Sequence, residues 1–152
     1  MTTNLRLSTA EAIVDGALEK AGELGCAPLA VAVLDAGGHP VVLKRQDDAE
    51  FLRIPIAVGK AYGSLGMGHP GRVLGERAAH APAFFGALSD MTGGRVVPGM
   101  GGVLIRTHEG ALVGAVGISG DSGERDEACA IGGIERAQMA PDYGQVEEWR
   151  RP

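Results

Sequence analysis

The stretch "PGMGGVLIR", Pro98 to Arg106, places three glycines in four positions immediately before an apolar run. Glycine at that density loses much conformational entropy on folding, so something must require the bare backbone. Three uses compete: a phosphate cradle, a tight turn into a strand, and a wall that a flat ligand approaches closely. Spacing and context argue against the cradle. Gly99, Gly101 and Gly102 read G-x-G-G, and the third glycine of G-x-G-x-x-G would fall at Leu104. The loop also leads into a strand pattern, whereas nucleotide motifs need a helix N-terminus to meet the phosphate. A second strand, "ALVGAVGIS" at Ala111–Ser119, follows across the short connection "THEG", which predicts an antiparallel hairpin. Gly114 and Gly117 thin this strand as well. Glycine inside a strand weakens it unless another group lies against the backbone. Two thinned neighbours therefore predict either a tightly seated helix or a slot for a planar guest, and the functional expectation rests on the slot.

Upstream of that hairpin, "STAEAIVDGALEKAGELG" reads as a helix, with Ser8 and Glu11 as a capping box and Gly25 as its C-terminal stop. Leu29–Leu34 and Val41–Arg45 follow as strands around a turn at Asp35–Pro40. "IPIAVGKAYGSLGM" is helical, Pro55 falling in its first turn, with Ile54, Val58, Ala61 and Leu65 as the expected core stripe. Two shorter helices break near Pro82, Val96–Val97 is a further strand, and "DSGERDEACAIGGIERAQM" is a helix capped by Asp121 or Ser122. The element order α, ββ, αα(α), βββ, α predicts an antiparallel sheet with helices packed on it, in the α/β (α+β) class. Residues 1–140 form one expected domain. Residues 141–152 read as a tail lying over the surface or a neighbouring subunit.

At 152 residues, with 45% hydrophobic and 22% charged residues, the chain can bury a core of its own. Aromatics are only 4% against 25 glycines, so that core must be built of small aliphatics with closely spaced layers. The net charge of −5 and the scattered basic residues argue against a nucleic-acid partner. Neither a signal-like N-terminus nor an 18-residue apolar run is present, so a cytoplasmic protein without membrane contact is expected. Cys26 and Cys129 cannot form a zinc framework alone and are expected as thiols.

Few side chains offer chemistry. Lys60 stands among Ala57, Gly59, Ala61, Gly63 and Ser64. It is either a surface lysine or, on so uncrowded a face, a partner for a ligand carboxylate or a desolvated base. His39 and His108 fall in hairpin turns, where solvation accounts for them. His69 and His80 sit at helix ends between small residues and are better placed as axial ligands or acid/base groups. With no H-x-x-x-H or H-x-H spacing, zinc is not expected. Glu124, Asp126 and Glu127 read as first-turn acids complementing a helix dipole. Asp47–Glu50 reads as a solvated loop. Covalent catalysis has no support, since no G-x-S-x-G elbow occurs and neither cysteine has a base beside it in sequence.

Four segments, "VAVLDAGGHPVVLKR", "IAVGKAYGS", "PGMGGVLI" and "LVGAVGISGDSGERDEACAIGG", resemble in order the GlcG/HbpS family of haem-binding-type domains. The same domain type occurs at the C-terminus of PduO-type corrinoid adenosyltransferases. The resemblance covers about Leu7 to Met139 and implies a profilin-like three-layer α/β/α fold with a five-stranded antiparallel sheet. It also implies homo-oligomers and, in some members, haem. Lys60 matches the lysine of the family's "KA" helix, Gly101 and Gly102 its "GG", and Gly117, Ser119, Gly120 and Asp126 its closing signature. Two departures stand out: "PGMGGVL" is one residue longer than the usual "pGG.P", and the first helix lacks the histidine with which some haem-binding relatives ligate iron.

The leading expectation is therefore a small-ligand-binding protein for haem or a related tetrapyrrole. Gly101, Gly102, Gly117 and Ser119 would line the site, His69 or His80 would ligate the iron, and Lys60 or arginines would pair the propionates. The alternative is a cofactor-free acid/base enzyme acting on a small carbonyl or carboxylate compound through Lys60 and Asp126.

Overall fold

The computed structural model describes residues 4–144. Its elements are α1 (Leu7–Leu24), β1 (Ala30–Asp35), β2 (Pro40–Arg45), α2 (Arg53–Met67), α3 (Gly71–His80), α4 (Pro82–Met91), β3 (Gly102–Arg106), β4 (Leu112–Ser119), α5 (Gly123–Arg136) and β5 (Ala140–Asp142). The five strands form one sheet in the order β2-β1-β4-β3-β5, every neighbouring pair antiparallel. Two hairpins, β1–β2 and β3–β4, meet at the β1–β4 seam, and the α2–α4 segment carries the chain from one hairpin to the other.

The strands alternate two kinds of side chain. One face carries Val31, Val33, Val103, Ile105, Val116 and Ile118, packed against Ile13, Val14 and Ala17 of α1 and Ala130 and Ile134 of α5. The other face is almost bare. Across it run Ala32, Gly117 and Gly102 in register, with Ala30 opposite Ser119 on one side and Leu34, Ala115 and Leu104 on the other. This trough of small residues receives α2, which turns Ala57, Ala61 and Ser64 towards it. Helices thus cover both faces, giving the three layers.

The trough settles what the glycines do. A Cβ on Gly117 would stand 1.8 Å from the Ala57 carbonyl oxygen, and one on Gly102 would stand 2.6 Å from Ser64 Oγ and 2.7 Å from the Lys60 carbonyl oxygen. Both positions are sealed under the protein's own helix. At Gly114 the close neighbour is the Leu34 carbonyl oxygen of the adjacent strand, while a Cβ on Gly99 would meet nothing within 4 Å. At Gly102 and Gly117 the space expected for a planar guest is filled by α2. Their missing side chains admit a helix.

Other local expectations are corrected for similar reasons. Of the expected α2 stripe Ala61 is fully buried, while Ile54, Val58 and Leu65 pack against the core only half-buried, flanking the small residues that the trough accepts. Ser8 lies inside α1; the N-cap is Arg6 and its side chain makes no capping hydrogen bond, whereas Gly25 ends the helix with φ 65° as expected. Ser122 caps α5 by accepting from the Arg125 N–H. Val96 and Val97 are not in a strand: the Val97 N–H donates to the Gly59 carbonyl at 3.1 Å, and the pair fills the glycine side of α2. The fifth strand is β5, which takes Pro141 and Asp142 from the expected tail, proline being tolerated on an edge. The remainder of that tail, 145–152, lies outside the described residues.

Two substitutions test the seating of α2. Gly117→Ala should destabilise by about 3 kcal/mol or more, since the new methyl meets a backbone carbonyl that cannot step aside. Gly22→Ala in exposed α1 meets nothing within 4 Å and should gain up to ~1 kcal/mol. Urea unfolding measures both, and equal effects at the two positions would contradict the close contact.

Candidate functional site

Because α2 lies so near the sheet, Lys60 is carried under the protein surface rather than onto it. The residue is only 9% exposed. Its Nζ donates to the Ile118 carbonyl at 2.8 Å and to Asp126 Oδ2 at 3.2 Å. Asp126, at the first turn of α5, is 1% exposed and accepts the Asp121 N–H at Oδ1, 3.0 Å away. Gly101 completes the cluster: with φ 113°, its backbone passes so close that a Cβ would sit 2.6 Å from the Ile118 oxygen and 3.0 Å from Lys60 Nζ. Burial pushes the Lys60 amine below the usual lysine range, with Asp126 opposing the shift. Burial likewise raises the Asp126 carboxyl above the ordinary carboxylate range, against the Asp121 N–H and the Lys60 charge.

Sequence alone left Lys60 between surface and site; the structure makes it an interior ion pair joining α2 to α5 across the end of β4. Asp126 is likewise more than a dipole-complementing acid, and so is Glu127. The latter is 3% exposed and forms a two-pronged pair with Arg72 of α3, Nε to Oε2 at 3.1 Å and Nη2 to Oε1. Arg72 in turn lies 5.8 Å from the centre of the Tyr143 ring. Only Glu124 of that trio is exposed. Ser119, buried at the end of β4, accepts at 3.4 Å from Nη1 of Arg53, the first residue of α2.

The histidines separate. His39 bonds Asp35 within its hairpin turn, and His108 Nε2 lies 2.8 Å from the Gln138 carbonyl; both are exposed. His69 follows the C-cap of α2 and lines a cleft of about 200 Å³ with Val73, Arg77, Arg106 and Asp142. Burial and the nearby Arg77 push its pKa below the ordinary histidine range, with Asp142 opposing the shift. His80, the last residue of α3, lines a different and more apolar groove of about 540 Å³ with Met67, Arg77, Ala81, Phe84 and Phe85. Phe84 and Phe85 stack edge to face with centroids 5.6 Å apart, yet Phe84 is 57% exposed. Sequence reading named His80 and missed the rest. The signal was there in two adjacent phenylalanines in a chain with so few aromatics, placed just after the break at Pro82.

Among the described residues no group of three or more histidine, cysteine or acidic side chains could hold a metal ion, and no helix is long and apolar enough to cross a membrane.

A sheet covered on both faces, its helices clamped by a buried lysine–aspartate pair, with an open aromatic groove at one side, defines a compact three-layer α/β/α domain. Comparison with known families narrows this: residues 5–135 match the family described as "Haem degrading protein HbpS-like", and the chain belongs to it. The chain is similar to a crystal structure of a PduOC–heme complex, with a TM-score of 0.82 and 28% identity, covering 92% of this chain and 99% of that one. HbpS itself is similar at a TM-score of 0.76 and 31% identity, covering 89% and 91%. The corrinoid adenosyltransferase PduO of Salmonella typhimurium is 34% identical over 110 residues, 72% of this chain. This chain spans only about a third of the length of the PduO relatives it matches.

A double-mutant cycle tests the clamp. Lys60→Met and Asp126→Asn should each cost roughly 3–5 kcal/mol, because either strands a buried charge. The double variant should cost at least ~1 kcal/mol less than their sum. Strict additivity would show that the two groups do not sense each other.

Proposed function

We propose that the chain binds haem, or a closely related tetrapyrrole, in the groove between the end of α2, α3 and α4. The observation that carries this reading is the groove's composition. Met67, Phe84 and Phe85 offer an apolar bed, His80 an imidazole, and Arg77 a guanidinium suited to carboxylates, with Glu76 the one acid among the described lining residues. Its volume falls within the usual ligand-pocket range of roughly 300–1,000 Å³. The likeness to HbpS and to the PduOC–heme complex supports the choice of ligand. His80 is the proposed iron ligand and Arg77 the proposed propionate partner. When bound, haem supplies an iron centre for redox and oxygen chemistry. The protein's part would be to bury the macrocycle's apolar edge and to offer the His80 imidazole to the iron.

Lys60 and Asp126 are assigned a structural role in this reading. Both polar partners of the Lys60 amine are internal groups, so it is not free to meet a propionate or a substrate. Self-assembly belongs to the same reading: Phe51 and Leu52, 74% and 58% exposed side by side before α2, give an apolar patch for a second copy.

Titration with haemin tests the proposal. The wild-type chain should give a saturable Soret change. His80→Ala should alter the band and weaken binding about tenfold or more, and Arg77→Ala should weaken it severalfold without changing the band. His69→Ala should leave both unchanged. No saturable change, or a change lost in His69→Ala and kept in His80→Ala, would overturn the assignment.

A further inference from the structure

The two cysteines lie 103 positions apart in sequence, yet their sulfurs are 3.8 Å from each other and both are free thiols. The approach is built. Cys26 follows the C-cap of α1 in the connection to β1, and Cys129 faces inward from α5 within the core. The Ala27 N–H donates to Asp121 Oδ2 at 2.8 Å, which ties this connection to the start of α5. The two thiols differ in access. Cys26 is half-buried and opens on a surface cleft shared with Pro28, Arg45, Gln46 and Asp47, whereas Cys129 is buried.

We propose that Cys26 and Cys129 form a redox modification site, in which a hydroperoxide reaches Cys26 from this cleft and Cys129 completes an intrachain disulfide. In the first step the Cys26 thiolate attacks a peroxide oxygen. The O–O bond breaks, the sulfur becomes a sulfenic acid, and the departing hydroxide takes a proton to leave as water. In the second step the Cys129 sulfur attacks the Cys26 sulfur. The S–O bond breaks, the S–S bond forms, and the hydroxyl leaves as water with the proton of the Cys129 thiol. Two thiols lose two electrons, and the peroxide gains them to become two waters, or water and an alcohol.

The order of the steps follows from the surroundings. Burial, the neighbouring Cys26, and the charges of Asp126 and Asp121 push the Cys129 thiol up to about 12. It therefore stays protonated and meets no oxidant from solvent, so the first attack falls to Cys26. Once Cys26 is oxidised, proximity replaces acidity as the driving factor, because the resolving sulfur is already in van der Waals contact. Closing from 3.8 Å to the ~2.05 Å of an S–S bond requires rotation about the side-chain bonds. Cys26 lies in a connection rather than inside a helix and has room for it. The site is independent of haem binding and is tested on protein free of it.

The experiment exposes the reduced full chain to stoichiometric hydrogen peroxide, followed by intact mass and by thiol titration in denaturant. The wild type should lose both thiols and the mass of two hydrogens, recovering both with a dithiol reductant. Cys129→Ala, which keeps the core apolar, should stop at a sulfenic acid on Cys26 that a 1,3-dione traps. Cys26→Ser should keep the Cys129 thiol titratable under the same peroxide. Gain of oxygen by Cys26 in the wild type while Cys129 remains titratable would overturn the proposal, as would disulfides formed only between chains.

Discussion

The closeness of α2 to the sheet is the constraint from which the rest of the structure follows. A helix normally rests on a layer of side chains that holds it away from the strands it covers. Here the row Ala32–Gly117–Gly102 removes most of that layer, and the helix answers with Ala57, Ala61 and Ser64. Backbone approaches backbone across this contact, and dispersion between closely packed main-chain atoms takes over from the burial of large side chains. The scarcity of aromatics and the abundance of glycine are the compositional mark of that choice.

Such a seat fixes where functional groups end up. Lys60 sits on the inner side of α2, and its amine reaches the end of β4 only because Gly101 and Gly102 leave the path clear. An ammonium carried that deep must be paired, and Asp126 supplies the charge from the opposite helix layer. The clamp couples the two layers around the edge of the sheet. It also gives the Lys60 amine two internal partners, the Ile118 carbonyl and Asp126. The groove proposed for a guest lies where α2 ends at Gly68 and the chain turns into α3 and α4, with Phe84 left in the open.

Much of the fold was legible because its signals are local. Helical spacing, Gly25 after α1, the break at Pro82 and the two hairpins are each written within a few residues of where they act. The errors came where a tertiary contact outweighs a local preference. Val96 and Val97 look like strand residues but are used as side-chain filler against Gly59. Pro141 looks like a strand breaker but sits where an edge needs no donor. The same holds for the site. Lys60 and Asp126 were visible singly and their pairing was not, and nothing in either neighbourhood announces that Cys26 and Cys129 touch. The glycines were the instructive case: bare strands admit a helix and a ligand equally well on paper, and only the position of α2 distinguishes them.

Native-state amide hydrogen exchange, with and without haemin, asks most directly which surface the protein keeps for itself and which it offers. The account predicts that the amides of Ala32, Gly102, Gly117 and residues 57–64 are as well protected without haemin as with it, while protection rises on ligand binding at residues 67–85. Rapid exchange along the β1–β4–β3 trough in the free protein, with protection appearing there only when haemin is added, would mean that the strands do hold the guest and that α2 is not their permanent cover.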